Sequence, residues 1–199
     1  KRLPNNAGIE AVMVDEGYQP HNGDWLLSSH YFPSGLKPAF DKIRDAGFKP
    51  ALWIGPYMVG NRSQLYLDHP DWVLRYRSGE PVKMWQTYGE ERVWGLKDEE
   101  TYVLDVSHPE AFEYMRRVFR TFREWGVRLY KIDFLNWNNL DSSTVNRYTP
   151  GKTSLEYQDE FFNMIRSEIV NDTFMIYCIS QFTPFIGYAD AMRVGYYTS

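Results

Sequence analysis

The chain has 199 residues, of which 43% are hydrophobic and 17% aromatic, and its formal net charge is −4 at pH 7. This composition suffices for the core of one globular domain, and the interspersed charges argue against a nucleic-acid partner and a basic membrane-binding helix. The single cysteine, Cys178, excludes an internal disulfide framework and a cysteine-based zinc site, and no apolar run approaches the roughly 20 residues that span a bilayer.

Three segments share one pattern, in which a glycine precedes an apolar stretch that predicts a strand. They are AGIEAVMVD (7–15), AGFKPALWI (46–54) and WGVRLYKID (125–133). Two later predicted strands are TFMIYC (173–178) and the region around ADAMRVG (189–195). The predicted helices cover 36–46, 109–125 and 154–170. Because strands alternate with helices, we expect right-handed βαβ units and a parallel sheet.

Two further segments carry a specific expectation. The helix predicted over 109–125 has Ser107 as a candidate N-cap, Pro109 near its first turn and Gly126 just past its end. The segment from Pro56 to Thr101 is long and aromatic. We expect it to be a functional loop, because long loops in compact domains usually are.

Two parallel architectures fit this order of elements, an eight-stranded barrel and an open doubly wound sheet. No glycine-rich phosphate loop follows a strand, which weakens the nucleotide-binding form of the second. Charged residues gather at the carboxyl ends of successive strands, where barrel enzymes keep their chemistry. We therefore predict an α/β fold of the (β/α)8 TIM-barrel class. A whole barrel takes roughly 250 residues, and about five or six strands are visible, so residues 1–199 are expected to be the central part of a catalytic barrel.

The stretch YKIDF places two opposite charges at the end of an apolar strand. Residues two apart on a strand share a face, so Lys131 and Asp133 point the same way, and a structural ion pair between them is one explanation. Asp15 and Glu16 end another strand, and Asp15 and Asp133 both lie seven residues beyond their glycine. Carboxylates that converge on one edge repel each other and therefore indicate a site. Two carboxyl groups that flank a glycosidic bond are the groups that hydrolyse sugars.

Other side chains have both a functional and a structural explanation. Trp53 would form an apolar wall for a sugar if its ring faces the site, and is otherwise a core residue. Arg193 is suited to hold a carboxylate or a hydroxyl, and its structural alternative is an ion pair with Asp190 or another acid. Cys178 ends a strand, which is typical of a small packed residue. The four histidines, His108 among them, show no metal-ligand spacing, so we expect no metal site.

Several motifs occur in a fixed order: VMVDEGYQ, GDW, FPSGL, GFKPALWIGPYMV, HPDW, VLDVSHPE, YKIDF and CIS followed by GYADAMRVG. As an ordered set they resemble the α-galactosidase (melibiase) family of glycoside hydrolases, family thirty-six of clan D. The resemblance implies a (β/α)8 barrel carried between a large N-terminal β-domain and a C-terminal β-domain, both outside the given chain. It also implies retaining hydrolysis of terminal α-galactosides through a covalent glycosyl-aspartate intermediate, with no metal or other cofactor.

The resemblance also implies roles for individual residues. Asp133 corresponds to the catalytic nucleophile of the family. The positions that bind the sugar correspond to Asp15, Glu16, Trp53, Lys131, Cys178 and Arg193.

Two positions depart from the family pattern. Glu16 stands where the second acid of the pair is commonly Asp, and its extra methylene could reshape the pocket for the sugar. The run RVGYYTS places Tyr197 where the general acid/base Asp is expected. Three explanations stay open: the acid lies beyond Ser199, it has been replaced, or the protein does not hydrolyse ordinary glycosides.

Two rival functions therefore remain beside hydrolysis: a transglycosylase of the raffinose-synthase type, and a sugar-binding relative that lacks the general acid. In all three cases we expect an oligosaccharide or glycoside as the partner, no nucleic acid and no membrane, and we leave a homo-oligomer open. A single cysteine suits a reducing compartment, so we expect a cytoplasmic location.

Overall fold

The computed structural model describes residues 8–85 and 100–195. In chain order the strands are β1 (Ala11–Val14), β2 (Lys49–Ile54), β3 (Met58–Gly60), β4 (Arg75–Tyr76), β5 (Lys83–Trp85), β6 (Thr101–Val103), β7 (Leu129–Ile132), β8 (Val145–Asn146), β9 (Phe174–Tyr177) and β10 (Ala191–Met192). The α-helices are α1 (Leu36–Asp45), α2 (Gln64–Asp68), α3 (Pro109–Glu124) and α4 (Ser154–Glu168). Among the helices that the structure describes, none combines the length and the apolar character that crossing a membrane requires.

The main sheet is parallel throughout and has the strand order β1-β2-β7-β9-β10. The predicted parallel sheet is thus confirmed. Its strands follow one another in chain order, whereas a doubly wound sheet reverses its order at a switch point. The described strands therefore have the singly wound order that a barrel requires.

The two faces of this sheet have different neighbours. The ring of Tyr130 packs against Phe119 of α3 at a centroid distance of 5.5 Å, and Tyr177 packs against Phe162 of α4 at 5.2 Å. Because successive residues of a strand point to opposite faces, Lys131 faces away from the helices. The residues expected to carry chemistry thus lie on the face that α3 and α4 do not cover.

The start of α3 differs from the expectation. The N-cap is His108, whose Nδ1 accepts a hydrogen bond from the backbone N–H of Glu110 at 3.2 Å. The Ser107 hydroxyl instead accepts from the backbone N–H of Thr149 at 3.1 Å. Pro109 in the first turn is confirmed, and Gly126 follows the C-cap with φ of 92°, a left-handed conformation that glycine adopts without strain.

The segment from Pro56 to Thr101 is a folded insert where a loop was expected, although residues 86–99 lie outside the described part. It contributes an antiparallel sheet of order β3-β6-β5, the helix α2, and β4, which pairs with β8. The insert shares the main core, since Tyr57 stacks on Phe161 of α4 at 5.4 Å. The carboxylate of Asp24 holds the start of α2 by accepting the backbone N–H groups of Gln64 and Leu65, both at 3.0 Å.

The cap of α3 gives a test of this architecture. His108→Ala removes the acceptor for the Glu110 N–H, whereas His108→Asn keeps one, so the two variants differ mainly in the cap. A cap contributes about 1 kcal/mol to the free energy of unfolding. In a domain of this size, that corresponds to a shift of about 2–4 °C in the thermal unfolding midpoint. We expect the thermal unfolding midpoint of the Ala variant to lie below that of the Asn variant by this amount. Equal midpoints would show that the cap contributes nothing.

Candidate active site

The register of the sheet sets three of the predicted residues at one level. Val14 pairs with Leu52, and Trp53 pairs with Lys131. Asp15, which directly follows Val14, therefore lies level with Trp53 and Lys131 across three neighbouring strands. Lys131 bridges the row, because its Nζ lies 2.9 Å from Oδ2 of Asp15.

A second row lies two residues further towards the carboxyl ends of the strands. Its members are the first residues after β7, β9 and β10, namely Asp133, Cys178 and Arg193. Each donates its backbone N–H to a carbonyl of the preceding strand in the sheet: Asp133 to Ile54 at 2.9 Å, Cys178 to Ile132 at 2.8 Å and Arg193 to Tyr177 at 2.9 Å. The ladder of the sheet thus continues through the candidate site.

The two rows revise part of the expectation from the sequence. Counting from the glycines put Asp15 at the same height as Asp133, but the register puts it level with Lys131, two residues lower. In keeping with this level, Lys131 forms a salt bridge with Asp15. Asp190, the suggested structural partner of Arg193, lies 2.9 Å from Arg166 and accepts the backbone N–H of Met175 at 2.8 Å.

The carboxylate of Asp133 is held at both oxygens and is only 2% exposed. Oδ2 accepts the indole N–H of Trp53 at 3.2 Å, and Oδ1 accepts the backbone N–H of Phe134 at 2.9 Å. The Nη2 of Arg193 lies 3.9 Å from Oδ1. These donors and the guanidinium replace hydrogen bonds to water that the carboxylate loses on burial.

Trp53 has a contact that the sequence did not indicate. Its ring is buried between Trp25, at a centroid distance of 6.2 Å, and Phe134, at 6.4 Å. The indole thereby directs its N–H at Asp133, which lies 80 positions further along the chain. No local pattern could reveal this bond, because it depends on the register between β2 and β7.

The pKa of the Cys178 thiol is shifted by its burial and by the charged residues of the two rows. Burial raises its pKa to about 11, and the negative charge of Asp133 adds to the rise, so the thiol is protonated at neutral pH. Arg193 and Lys131 act in the opposite direction, and Asp15 adds a smaller rise.

The remaining positions lie at the rim or outside the described residues. Asp15 is exposed and Glu16 half-buried, and the Glu16 backbone N–H donates to Oδ1 of Asp15 at 2.9 Å. Tyr197 lies outside the described residues. Within residues 8–85 and 100–195, no three His, Cys, Asp or Glu side chains come together in a way that could hold a metal ion. The chemistry that these rows offer is that of one fixed carboxylate among hydrogen-bond donors.

Proteins of known sequence and known structure resemble this chain. An α-galactosidase of Escherichia coli is 25% identical over 163 residues, which is 78% of this chain and 20% of the relative. The A type blood α-D-galactosamine galactosaminidase of Flavonifractor plautii is 25% identical over 83% of this chain and 15% of its own length. The α-galactosidase TtGalA of Thermus thermophilus, solved in complex with stachyose, superposes with a TM-score of 0.77 at 28% identity, covering 94% of this chain and 36% of that one.

These coverages mean that the chain spans about a fifth of the Escherichia coli relative and about a third of the Thermus chain. The family described as Melibiase matches residues 3–167, which is well over half of the chain. The matched region contains Asp15, Trp53, Lys131 and Asp133. The chain therefore belongs to the melibiase family of α-galactosidases.

Proposed function

We propose that the protein containing this chain is a retaining α-galactosidase in which Asp133 is the nucleophile. The observation that carries the proposal is the carboxylate itself, buried at the carboxyl end of a parallel strand with each oxygen held by a separate donor. Fixed donors and burial suit a group that must attack one carbon in one direction. A purely structural acid would be neutralised more simply by a close ion pair.

The reaction proceeds in two displacements. A carboxylate oxygen of Asp133 forms a bond to the anomeric carbon while the glycosidic bond breaks, and the departing oxygen takes a proton from a general acid. Water then attacks the same carbon, loses a proton to that acid's conjugate base and releases Asp133. The side chain of Arg193 is 21% exposed, and its Nη2 lies 3.9 Å from Oδ1 of Asp133. A sugar that reaches this carboxylate therefore comes close to the guanidinium, which can donate to a sugar hydroxyl.

The sugar is assigned from chemistry and from the relatives together. We assign its binding to Asp15, Glu16, Lys131, Trp53, Cys178 and Arg193. Carboxylates and a lysine at the rim suit the hydroxyls of a pyranose, and the Escherichia coli and Thermus relatives are α-galactosidases. The Flavonifractor relative is named for galactosamine, which differs from galactose in the group on C2. The proposed substrate is therefore an oligosaccharide or glycoside with a terminal α-galactosyl unit.

The fold proposal follows from the strand order. We propose that the five parallel strands belong to a (β/α)8 barrel and that this chain is the central part of that barrel. We also propose that β-domains flank the barrel and that the protein is cytoplasmic. Support comes from the singly wound order and the likeness to TtGalA.

The residue at position 197 favours a second candidate, a sugar-binding relative without hydrolysis. Tyr197 stands where the general acid of the family is expected, and a tyrosine is a much weaker acid than a carboxylic acid. Transfer of the covalent sugar to another sugar is a variant of the first candidate. Product analysis with an added galactoside acceptor separates transfer from hydrolysis.

Trapping the intermediate tests the nucleophile. In the full-length protein, a 2-deoxy-2-fluoro-galactosyl donor with a good leaving group needs little help from a general acid and forms an intermediate that hydrolyses slowly. We expect peptide mass mapping to find one sugar on Asp133. The Asp133→Asn variant should fold, take up no label and lose turnover. Label on another residue, or turnover that survives in this variant, would exclude Asp133 as the nucleophile, and galactose binding with neither label nor turnover favours the second candidate.

The indole of Trp53 provides an independent test. Trp53→Phe keeps an aromatic ring but deletes the N–H that binds Oδ2 of Asp133. Hydrogen bonds to charged groups contribute about 1.5–3 kcal/mol, so we expect kcat for an aryl α-galactoside to fall between about tenfold and about a hundredfold. The matched control is Trp25→Phe, because the ring of Trp25 packs against Tyr18 and Trp53 and is equally buried. A smaller loss in the Trp53 variant than in the control contradicts the role of the indole.

A further inference from the structure

Two residues of the described chain adopt a backbone conformation that their side chains disfavour. Phe134 has φ of 59° and Ile179 has φ of 46°, and every other positive φ in residues 8–85 and 100–195 belongs to a glycine. Each follows directly on a residue of the candidate site, Phe134 on Asp133 and Ile179 on Cys178. A left-handed conformation is uncommon for any residue with a Cβ and a clear outlier for a β-branched one such as isoleucine.

Packing does not explain the choice of isoleucine at position 179. Ile179 is 36% exposed and is not one of the buried residues of the hydrophobic core. A glycine at this position would adopt the same backbone conformation without strain. Strained residues that persist without a packing reason cluster at functional sites, where the strain serves to hold a geometry.

The left-handed turn at Phe134 acts on both oxygens of Asp133. It directs the backbone N–H of Phe134 at Oδ1, at 2.9 Å. An extended residue here would point its side chain to the helix-covered face, because alternate residues of β7 do so. The turn instead brings the ring against Trp53, edge to face at 6.4 Å, and Trp53 donates to Oδ2.

The left-handed turn at Ile179 fixes the first one. The carbonyl of Ile179 accepts the backbone N–H of Asn136 at 3.0 Å. Asn136 belongs to the 3-10 turn Leu135–Asn138, which begins directly after Phe134. The chain segments that leave β7 and β9 are therefore tied together next to Asp133, and the tie depends on the conformation of Ile179.

We propose that Phe134 and Ile179 are positioning residues that hold the carboxylate of Asp133 in its attacking orientation through their left-handed backbones. This inference rests on the proposed function, in which Asp133 is the nucleophile. Neither residue is assigned a contact with the sugar. They fix the orientation of the carboxylate. Substituting them therefore lowers the rate of the first displacement and leaves the affinity for the sugar unchanged.

Glycine substitutions separate an effect on the orientation of the carboxylate from an effect on the stability of the fold. In the full-length protein, Ile179→Gly relieves the strained backbone but lets the tie to Asn136 loosen. We expect kcat for an aryl α-galactoside to fall about tenfold or more, because small misplacements of reacting groups cost up to about a hundredfold. The KM should stay within twofold, and the thermal midpoint should not fall, since the Cβ strain is removed.

The matched control is Ile186→Gly. Ile186 is an isoleucine on the same segment between β9 and β10, 77% exposed, with an ordinary φ of −61°. There the substitution relieves no strain and only adds freedom to the unfolded chain, so the midpoint should fall slightly while kcat is unchanged. The pair thus predicts opposite patterns: Ile179→Gly loses rate without losing stability, and Ile186→Gly loses stability without losing rate.

Phe134 is tested by a conservative and a drastic change. Phe134→Tyr keeps both the ring and the backbone preference and should retain kcat within twofold, whereas Phe134→Gly removes the ring and the fixed turn and should lose at least as much as Ile179→Gly. A kcat within twofold of the wild type in both glycine variants overturns the inference. So does a loss of rate in Ile179→Gly that accompanies a lower midpoint than in Ile186→Gly.

The Asp133→Asn variant keeps the two proposals apart. If it is inactive and unlabelled while the glycine variants retain full kcat, the nucleophile stands and the positioning role is wrong. If it keeps full turnover, the proposed function is wrong, and the positioning role falls with it.

Discussion

The parallel ladder that joins β2, β7, β9 and β10 continues one residue past each strand, and the candidate site depends on this continuation. The backbone N–H groups of Asp133, Cys178 and Arg193 each bind a carbonyl of the neighbouring strand. Main-chain hydrogen bonds between strands fix position far better than side-chain contacts on a loop. The site residues are thus part of the sheet although the strands that carry them have ended.

Burial of Asp133 sets the second requirement. A carboxylate that is 2% exposed has lost its water, and it is stable as an anion only if protein groups take the place of that water. Here the replacements are an indole N–H, a backbone N–H and a guanidinium at a longer distance. All three point at one small volume, and each depends on a different element: β2, the turn after β7, and the end of β10.

The sequence predicted the elements that carry local signals. The helix predicted over 109–125 is Pro109–Glu124, and the one over 154–170 is Ser154–Glu168. Helix-forming stretches and the proline and glycine that flank them are local signals, although the N-cap of the first helix is His108 where Ser107 was expected. The insert was missed because β4 and β8 are two-residue strands whose partners lie about 70 positions apart. Their pairing leaves no pattern in either segment alone.

For the site, the sequence predicted which strand ends carry charged residues. It did not predict how these residues are aligned with one another across the sheet. The height of Asp15 against Lys131 follows from the register of β1 on β2 and of β2 on β7, which is a property of the folded sheet. The conformation of Phe134 was equally hidden, because the alternation of β7 predicts its ring on the helix side. Long-range register and single strained dihedrals are what a periodic pattern cannot encode.

The small ribbon of β4 and β8 has a consequence for motion. It joins the insert to the segment between β7 and α4, and Arg77 strengthens the joint by donating from Nε to the Ser142 carbonyl at 2.9 Å. The same segment is anchored from the other side, since the Tyr148 backbone N–H donates to the buried carboxylate of Asp105 at 2.8 Å. The segment between β7 and α4 is therefore held at both sides by hydrogen bonds. The ribbon thus links the insert to the segment that follows Asp133 through contacts that lie outside the main sheet.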